Sequence, residues 1–527
     1  MSPEPVKSLW ADWLRRLPYR RYYDLEDRPR RLRAQFFCLL TLLSGGLYLA
    51  WLGQQALRLQ TLHTYLFLVT ELAAYLLLLI LSLDVWCLRY HRPEGLTPDR
   101  PYTVDVFVPC CGEPLEIIRA TLTAVAGLTY APYTAYVLDD AGDQEVAALT
   151  ASLGFHYYSR VRQGFPKLDA KSGNLNFGLG LSQGELVLVL DADQIPRPEI
   201  ISRLVGFFRL PQVAYVQSRQ EFVLPDGDPF YNRDEVFYET IQLSNDQVNA
   251  VISCGSGVIY RREALMEMGG FATWNLVEDF TTSYELVSRG WKGIYFPYAL
   301  SRGLAPDTLQ GVFQQRYQWC LDTMRLFFWD NPFFKSGLTL SQGFHFSIIM
   351  ITYVISGLIL PLFYFLPLYC YYTGNTFLVE QEGNYVTLRG LYLFCTLLAF
   401  RYLFFQKDSL KQFKMLCGLF PVYALGVCSA LFYPPGRKPR YRVNNAEGGG
   451  QVRTLVYILP HLSIIALHLS LPFLALAFAW ASPRLIAANA PFSAFTLWVL
   501  GEMIILAYTR PQWASRPQYQ PVYEHES

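Results

Sequence analysis

The run "ELVLVLDADQIP" closes an apolar stretch with two carboxylates, Asp191 and Asp193, two positions apart. If the strand continued through them, both side chains would face the same side. Crowded carboxylates repel unless a cation neutralises them, and Mg²⁺ or Mn²⁺ favours a few carboxylate oxygens completed by substrate phosphate. A turn or a helix cap uses the same residue types. A second acidic strand end, Asp139 and Asp140 in "AYVLDD", favours a metal and nucleotide site.

Three other stretches could carry chemistry. In "DAKSGNLN" a small, turn-forming Ser-Gly-Asn leaves room for Lys171 to bring its ammonium to a diphosphate, although a loop lysine is usually only solvated. In "WNLVEDFTTSYELVSRGW" Glu278 and Asp279 begin an expected helix, where acids suit the helix dipole and one could equally act as a general base. In "QQRYQW" Gln315, Gln318 and Trp319 share one helical face at i, i+3 and i+4. An indole plate suits the apolar face of a sugar ring or the membrane interface.

The elements that must position these groups are of two kinds. From Thr103 onward short β-rich runs alternate with helical ones, which predicts a largely parallel sheet with helices on both faces over 99–330. Ligands of such sheets lie outside the carboxyl ends of the strands. Around this polar middle the chain is too apolar for an ordinary soluble protein: 52% of its 527 residues are hydrophobic and 17% charged. Runs at 34–53, 64–88, 346–372, 386–405, 455–480 and 492–509 are long enough to cross a bilayer core, two spans before the middle and four within 331–509.

The run 415–433, inside 408–433, has lysines and arginines on both sides and is expected to lie on the cytoplasmic face. The basic segment 1–33 places the amino terminus in the cytoplasm, so even parity puts the polar domain and the tail 510–527 there too. The first span is expected to be uncleaved. A net charge of +1 implies no nucleic-acid partner. Ten cysteines without CxxC spacing read as reduced structural thiols.

Eight pieces in order, "VDVFVPCCGEP", "VLDDAGD", "DAKSGNLN", "LVLVLDADQIP", "VQSRQEF", "SCGSGVIYRREAL", "NLVEDF" and "QQRYQW", resemble the processive family 2 glycosyltransferases of the bacterial cellulose synthase type. The resemblance implies a GT-A domain set in a transmembrane channel. Its reaction would move glucose from UDP-glucose to a growing β-glucan with inversion, and the polymer would be extruded through the bacterial inner membrane. It assigns Glu113, Asp139, Asp140, Lys171, Gln315 and Gln318 to the nucleotide, Asp191 and Asp193 to Mg²⁺ or Mn²⁺, and Asp279 to the general base. Cys254, Gly255, Ser256 and Trp319 would meet the acceptor, and Tyr441, Val443 and Asn444 in 434–452 match a gating loop. The implied partners are a UDP-sugar, the growing polysaccharide, the lipid bilayer and an accessory synthase subunit.

The departures are as specific as the matches. Gln318 stands where the family's QxxRW pattern has its arginine, which removes a charge-assisted contact to the diphosphate. Cys110 and Cys111 replace a threonine and a tyrosine near the uracil, and Val277 begins VED where the family has TED. Fewer than about 20 residues follow the last expected span, which leaves no room for a cyclic di-GMP-binding domain. A non-processive glycolipid synthase and a catalytically weakened channel or assembly homologue are the alternative readings.

Overall fold

The computed structural model describes residues 28–86, 97–224, 228–377, 382–403, 409–439 and 451–509. The chain divides into two units, Met1–Arg92 with Phe377–Ser409, and Pro93–Thr376 with Leu410–Ser527.

In the first unit three helices, Arg28–Leu59, Leu62–Trp86 and Glu382–Leu403, pack together. The third covers 386–403 of the expected span 386–405 but does not rank among the helices long and apolar enough to cross a membrane. It carries Arg389, which reaches the fully buried Glu71 at 3.0 Å and lies 5.4 Å over the rings of Tyr48 and Tyr392. Neutralisation by a carboxylate on a neighbouring helix is what allows a guanidinium at such a place.

The second unit is built on an eight-stranded sheet in the order β3-β2-β1-β4-β7-β6-β8-β5. Its strands are β1 (Val104–Cys110), β2 (Tyr133–Asp139), β3 (His156–Tyr158), β4 (Leu186–Val189), β5 (Ile195–Pro196), β6 (Val213–Val223), β7 (Val258–Arg261) and β8 (Lys292–Leu304). β5 and β7 run against the other six, so the expected largely parallel sheet is present with two reversals. Strands β1 and β4 are buried along their whole length, and "VDVFVPC" and "LVLV" supply the apolar and β-branched side chains such strands require. Helices α1 (Leu115–Ala126), α2 (Gln144–Ser152), α3 (Ala170–Leu181) and α4 (Glu278–Ser288) flank the sheet. At Gly178 of α3 a Cβ would lie 2.7 Å from Leu138 Cδ1, so glycine permits the close approach of this helix to β2.

One buried cluster runs from Phe107, Leu138 and Val189 in the sheet to Phe313 and Met324 on α5 (Leu309–Trp329), and on to Phe346 and Tyr423. Catalytic-type sheet and apolar helices of this unit therefore share a core. Five helices among the described residues are long and apolar enough to span a bilayer: Gln35–Leu59, Leu62–Asp84, Leu340–Thr373, Leu455–Ala477 and Pro483–Tyr508. The run expected on the membrane surface forms Lys411–Gly418 and Phe420–Ala430, bent by 48°, and counts as a sixth if the pair is one broken span. Its second half packs on α5, with the Cys320 thiol 3.6 Å from the Tyr423 carbonyl oxygen.

Candidate active site

Register sets Cys110 beside Asp139 and Phe107 beside Val189, so β1, β2 and β4 release their loops at one edge of the sheet. The two acids that end and follow β2 are buried and bonded internally. Asp139 Oδ1 accepts from the Ala141 amide and Oδ2 from the Asp143 amide and the Tyr157 hydroxyl, each at 2.7 Å. Asp140 takes a two-pronged pair from Arg160, at 2.6 and 2.7 Å. The same guanidinium donates to the carbonyls of Leu168 (2.6 Å) and Ala170 (2.8 Å). It thereby holds a turn in which Asp169 and Ala170 adopt φ of 60° and 44°, a left-handed conformation that non-glycine residues rarely enter. Lys171 follows directly. The stretch expected as a loop around it is the first turn of α3.

Lys171 Nζ lies 2.6 Å from Asp191 Oδ1 and 3.2 Å from Glu278 Oε1, and donates to the Gly255 carbonyl at 2.9 Å. Gly255 has φ of 73°, and a Cβ there would sit 2.8 Å from Asp279 Oδ2 and 2.9 Å from Lys171 Nζ. No side chain fits between the two charges. Four sequence-distant motifs thus meet at one point: "DAKSGNLN", "DAD", "SCGSG" and "VED". Burial opposes the Lys171 charge, yet Asp191, Glu278 and Asp279 outweigh it and hold the ammonium well above the usual lysine range. Burial and the adjacent Glu278 push Asp279 up to about 8, against the pull of Lys171 and of the Phe280 amide. A carboxylate so poised is suited to taking a proton near neutral pH.

β4 stops at Val189, so Asp191 and Asp193 lie on a turn and not on a continued strand; the Gln194 amide closes it on the Asp191 carbonyl at 2.9 Å. They still act on each other. Asp193 is pushed up to about 7 by burial, then by the charges of Asp191 and Glu113. Glu113 is raised by burial, and its carboxylate accepts from the Cys111 amide at 2.6 Å. Mutually repelling hard-oxygen donors of this kind fit Mg²⁺ or Mn²⁺. Among the described residues no three acidic, imidazole or thiol groups are placed to hold an ion by themselves.

Cys254, Gly255 and Ser256 thread past this cluster. The Ser256 hydroxyl accepts from the Asp191 amide at 2.9 Å, and Gln217 and Gln220 bind the Cys254 amide and carbonyl at 2.7 and 2.9 Å. The Cys254 thiol is raised by burial and by the neighbouring Asp279. Gln315, Gln318 and Trp319 lie half-buried on α5, the helix expected there. Tyr441, Val443 and Asn444 fall outside the described residues.

The family description "Glycosyltransferase like family 2" matches residues 101–321, and "Cellulose synthase" matches 267–409. Cellulose synthase 1 of Komagataeibacter xylinus is 33% identical over 344 residues, covering 61% of this chain and 22% of that protein. The UDP-forming cellulose synthase catalytic subunit of Xanthomonas axonopodis pv. citri is 33% identical over 287 residues, covering 52% and 38%. The chain belongs to the cellulose synthase-like family 2 glycosyltransferases. The matches span less than half the length of these relatives. The crystallised mannosyltransferase of Pyrobaculum calidifontis, in complex with GDP-Man and Mn²⁺, aligns with a TM-score of 0.53 at 16% identity, over 71% of this chain and 99% of that one. That alignment shows the GT-A fold.

Several residues that shape this glycosyltransferase site carry no motif of their own. Arg160 is invisible until Asp140 is seen to face it. Arg325, fully buried, donates to the Tyr433 carbonyl (2.8 Å), the Asn275 side-chain oxygen (2.7 Å) and the Trp274 carbonyl (3.1 Å). It ties α5 to the loop ahead of Asp279 and to the start of the segment 434–452. Lys438 in that segment pairs with Asp169 beside the Lys171 turn. An arginine three residues after an aspartate at the head of an apolar run, "DTMRLFF", was the available signal for Arg325.

Proposed function

We propose that the protein polymerises a β-glucan from UDP-glucose with inversion and passes the polymer across a bacterial inner membrane, with the glycosyltransferase domain on the cytoplasmic side. The observation that carries this reading is the meeting of Lys171, Asp191, Gly255 and Asp279 at one point. Asp191 and Asp193 would hold Mg²⁺ or Mn²⁺, which neutralises the diphosphate that departs with the nucleotide. The Lys171 ammonium, 2.6 Å from Asp191 Oδ1, would add a second positive charge there. Asp279 accepts the proton of the attacking sugar hydroxyl, and inversion needs no further acid because the leaving phosphate departs as an anion.

The purified full chain, reconstituted in lipid with radiolabelled UDP-glucose and Mn²⁺, is expected to yield a high-molecular-weight, glucanase-sensitive product. An organic-soluble labelled lipid would replace the polymerase with a glycolipid synthase. Absence of turnover with every UDP-sugar would reduce the protein to a channel or assembly homologue.

A further inference from the structure

The positive charge of "QQRYQW" does not face the diphosphate cluster. Arg316 pairs with Asp234 at 2.7 Å, and its guanidinium carbon lies 4.6 Å from the centroid of the Trp319 ring. The side chain is 13% exposed. Among the described residues only one of its terminal nitrogens has a hydrogen-bond partner, the Asp234 carboxylate. A guanidinium has five N–H donors in a rigid plane, so donors remain beside the indole.

The element that delivers Asp234 is strained. Asp228, Tyr231 and Asp234 have φ of 41°, 52° and 46°, conformations that non-glycine residues hold only where the surroundings impose them. Here the Asp228 carboxylate takes the Asn232 and Arg233 amides at 2.9 and 3.2 Å, and the Asn232 side chain donates to the Pro306 carbonyl at 2.9 Å. The loop is thus bolted to the strand-to-helix connection from which α5 starts. Asp234 also lies within electrostatic reach of the Cys254 thiol, which borders Asp279. An apolar plate and a planar set of spare donors beside it suit a pyranose ring, whose faces are apolar and whose rim carries hydroxyl acceptors.

We infer that Arg316, oriented by Asp234, is an acceptor-positioning residue: its spare donors bind ring hydroxyls of the acceptor sugar beside Trp319. The inference rests on the polymerase reading above and adds a residue to it. It gives the cation of this hexapeptide to the acceptor and leaves the donor diphosphate to Lys171.

The test uses the full chain in lipid with Arg316→Gln, Arg316→Lys and Asp234→Asn. Chain length in a processive enzyme is the ratio of elongation to release. Losing a charged hydrogen bond weakens the hold by about 10- to 100-fold. Arg316→Gln and Arg316→Lys should shorten the mean product by about that factor, while UDP affinity, read by equilibrium binding, stays within about twofold. Asp234→Asn keeps a hydrogen bond without the charge and should shorten it less. Wild-type product length in Arg316→Lys, or a fall in UDP affinity parallel to the fall in length, would overturn the inference. If Arg316→Gln fails to fold, as thermal unfolding reports, the other two variants decide. No polymer from the wild type overturns the polymerase reading and this one together; polymer of unchanged length from the variants overturns this one alone.

Discussion

Removing the Lys171 ammonium should move the ionisation of the candidate base, by an amount the geometry fixes. Both charges flank Gly255, and an idealised Cβ there lies 2.8 Å from Asp279 Oδ2 and 2.9 Å from Lys171 Nζ. The two atoms therefore lie within about 6 Å of each other, and at about 5 Å with an effective dielectric of about 20 their attraction is worth about 3 kcal/mol. That equals about two pKa units. The ammonium favours the ionised carboxylate, so Lys171→Met raises Asp279 further from about 8. At pH 7 the ionised fraction then falls about 100-fold below its wild-type value.

The dependence of kcat/KM for the UDP-sugar on pH reports the free enzyme's groups. In the wild type it should rise with pH through about 8, because the deprotonated carboxylate is the active form. In Lys171→Met the same rise should shift upward by about two units, and Lys171→Arg should restore much of it. Loss of a diphosphate contact alone would lower the whole curve without moving it. An unshifted curve in Lys171→Met would therefore refute the assignment of Asp279 as the base, or its coupling to Lys171.

Asp279→Asn should lower transfer by about 10²- to 10⁴-fold while UDP binding persists; near-normal transfer would place the base elsewhere. Gln318→Arg should tighten UDP binding by about tenfold if this position faces the diphosphate, and unchanged binding in a direct titration would show that it does not. Arg325→Met leaves Asp322, its partner at 3.3 Å, buried and unpaired, which should cost about 3–5 kcal/mol of stability. Adding Asp322→Asn removes the orphaned charge, and thermal unfolding should then recover a substantial part; a single variant as stable as wild type would contradict the buried-pair argument.

What sequence alone made legible, and what it did not, follows from the range of the interactions. Strands β1, β2 and β4 were readable because apolar runs ending in acids are local patterns, and α4 was readable from its acidic first turn. The turn before Lys171 was not, because its backbone is held by Arg160, whose own orientation depends on Asp140, 20 residues earlier. The helix Glu382–Leu403 shows the same limit from the opposite side. Hydropathy weighs each residue alone, whereas Arg389 is offset by Glu71 on another helix.

The charge on "QQRYQW" carries the largest consequence. Sequence shows that the hexapeptide carries one arginine, but it has no knowledge of Asp234, 82 residues away, which decides where the Arg316 guanidinium goes. Under the acceptor-positioning proposal, an ammonium at Lys171 and a guanidinium at Arg316 are divided between the two ends of one transfer. The departing diphosphate needs a compact charge that can sit among carboxylates and a metal, while a neutral sugar needs a planar array of donors beside an aromatic face.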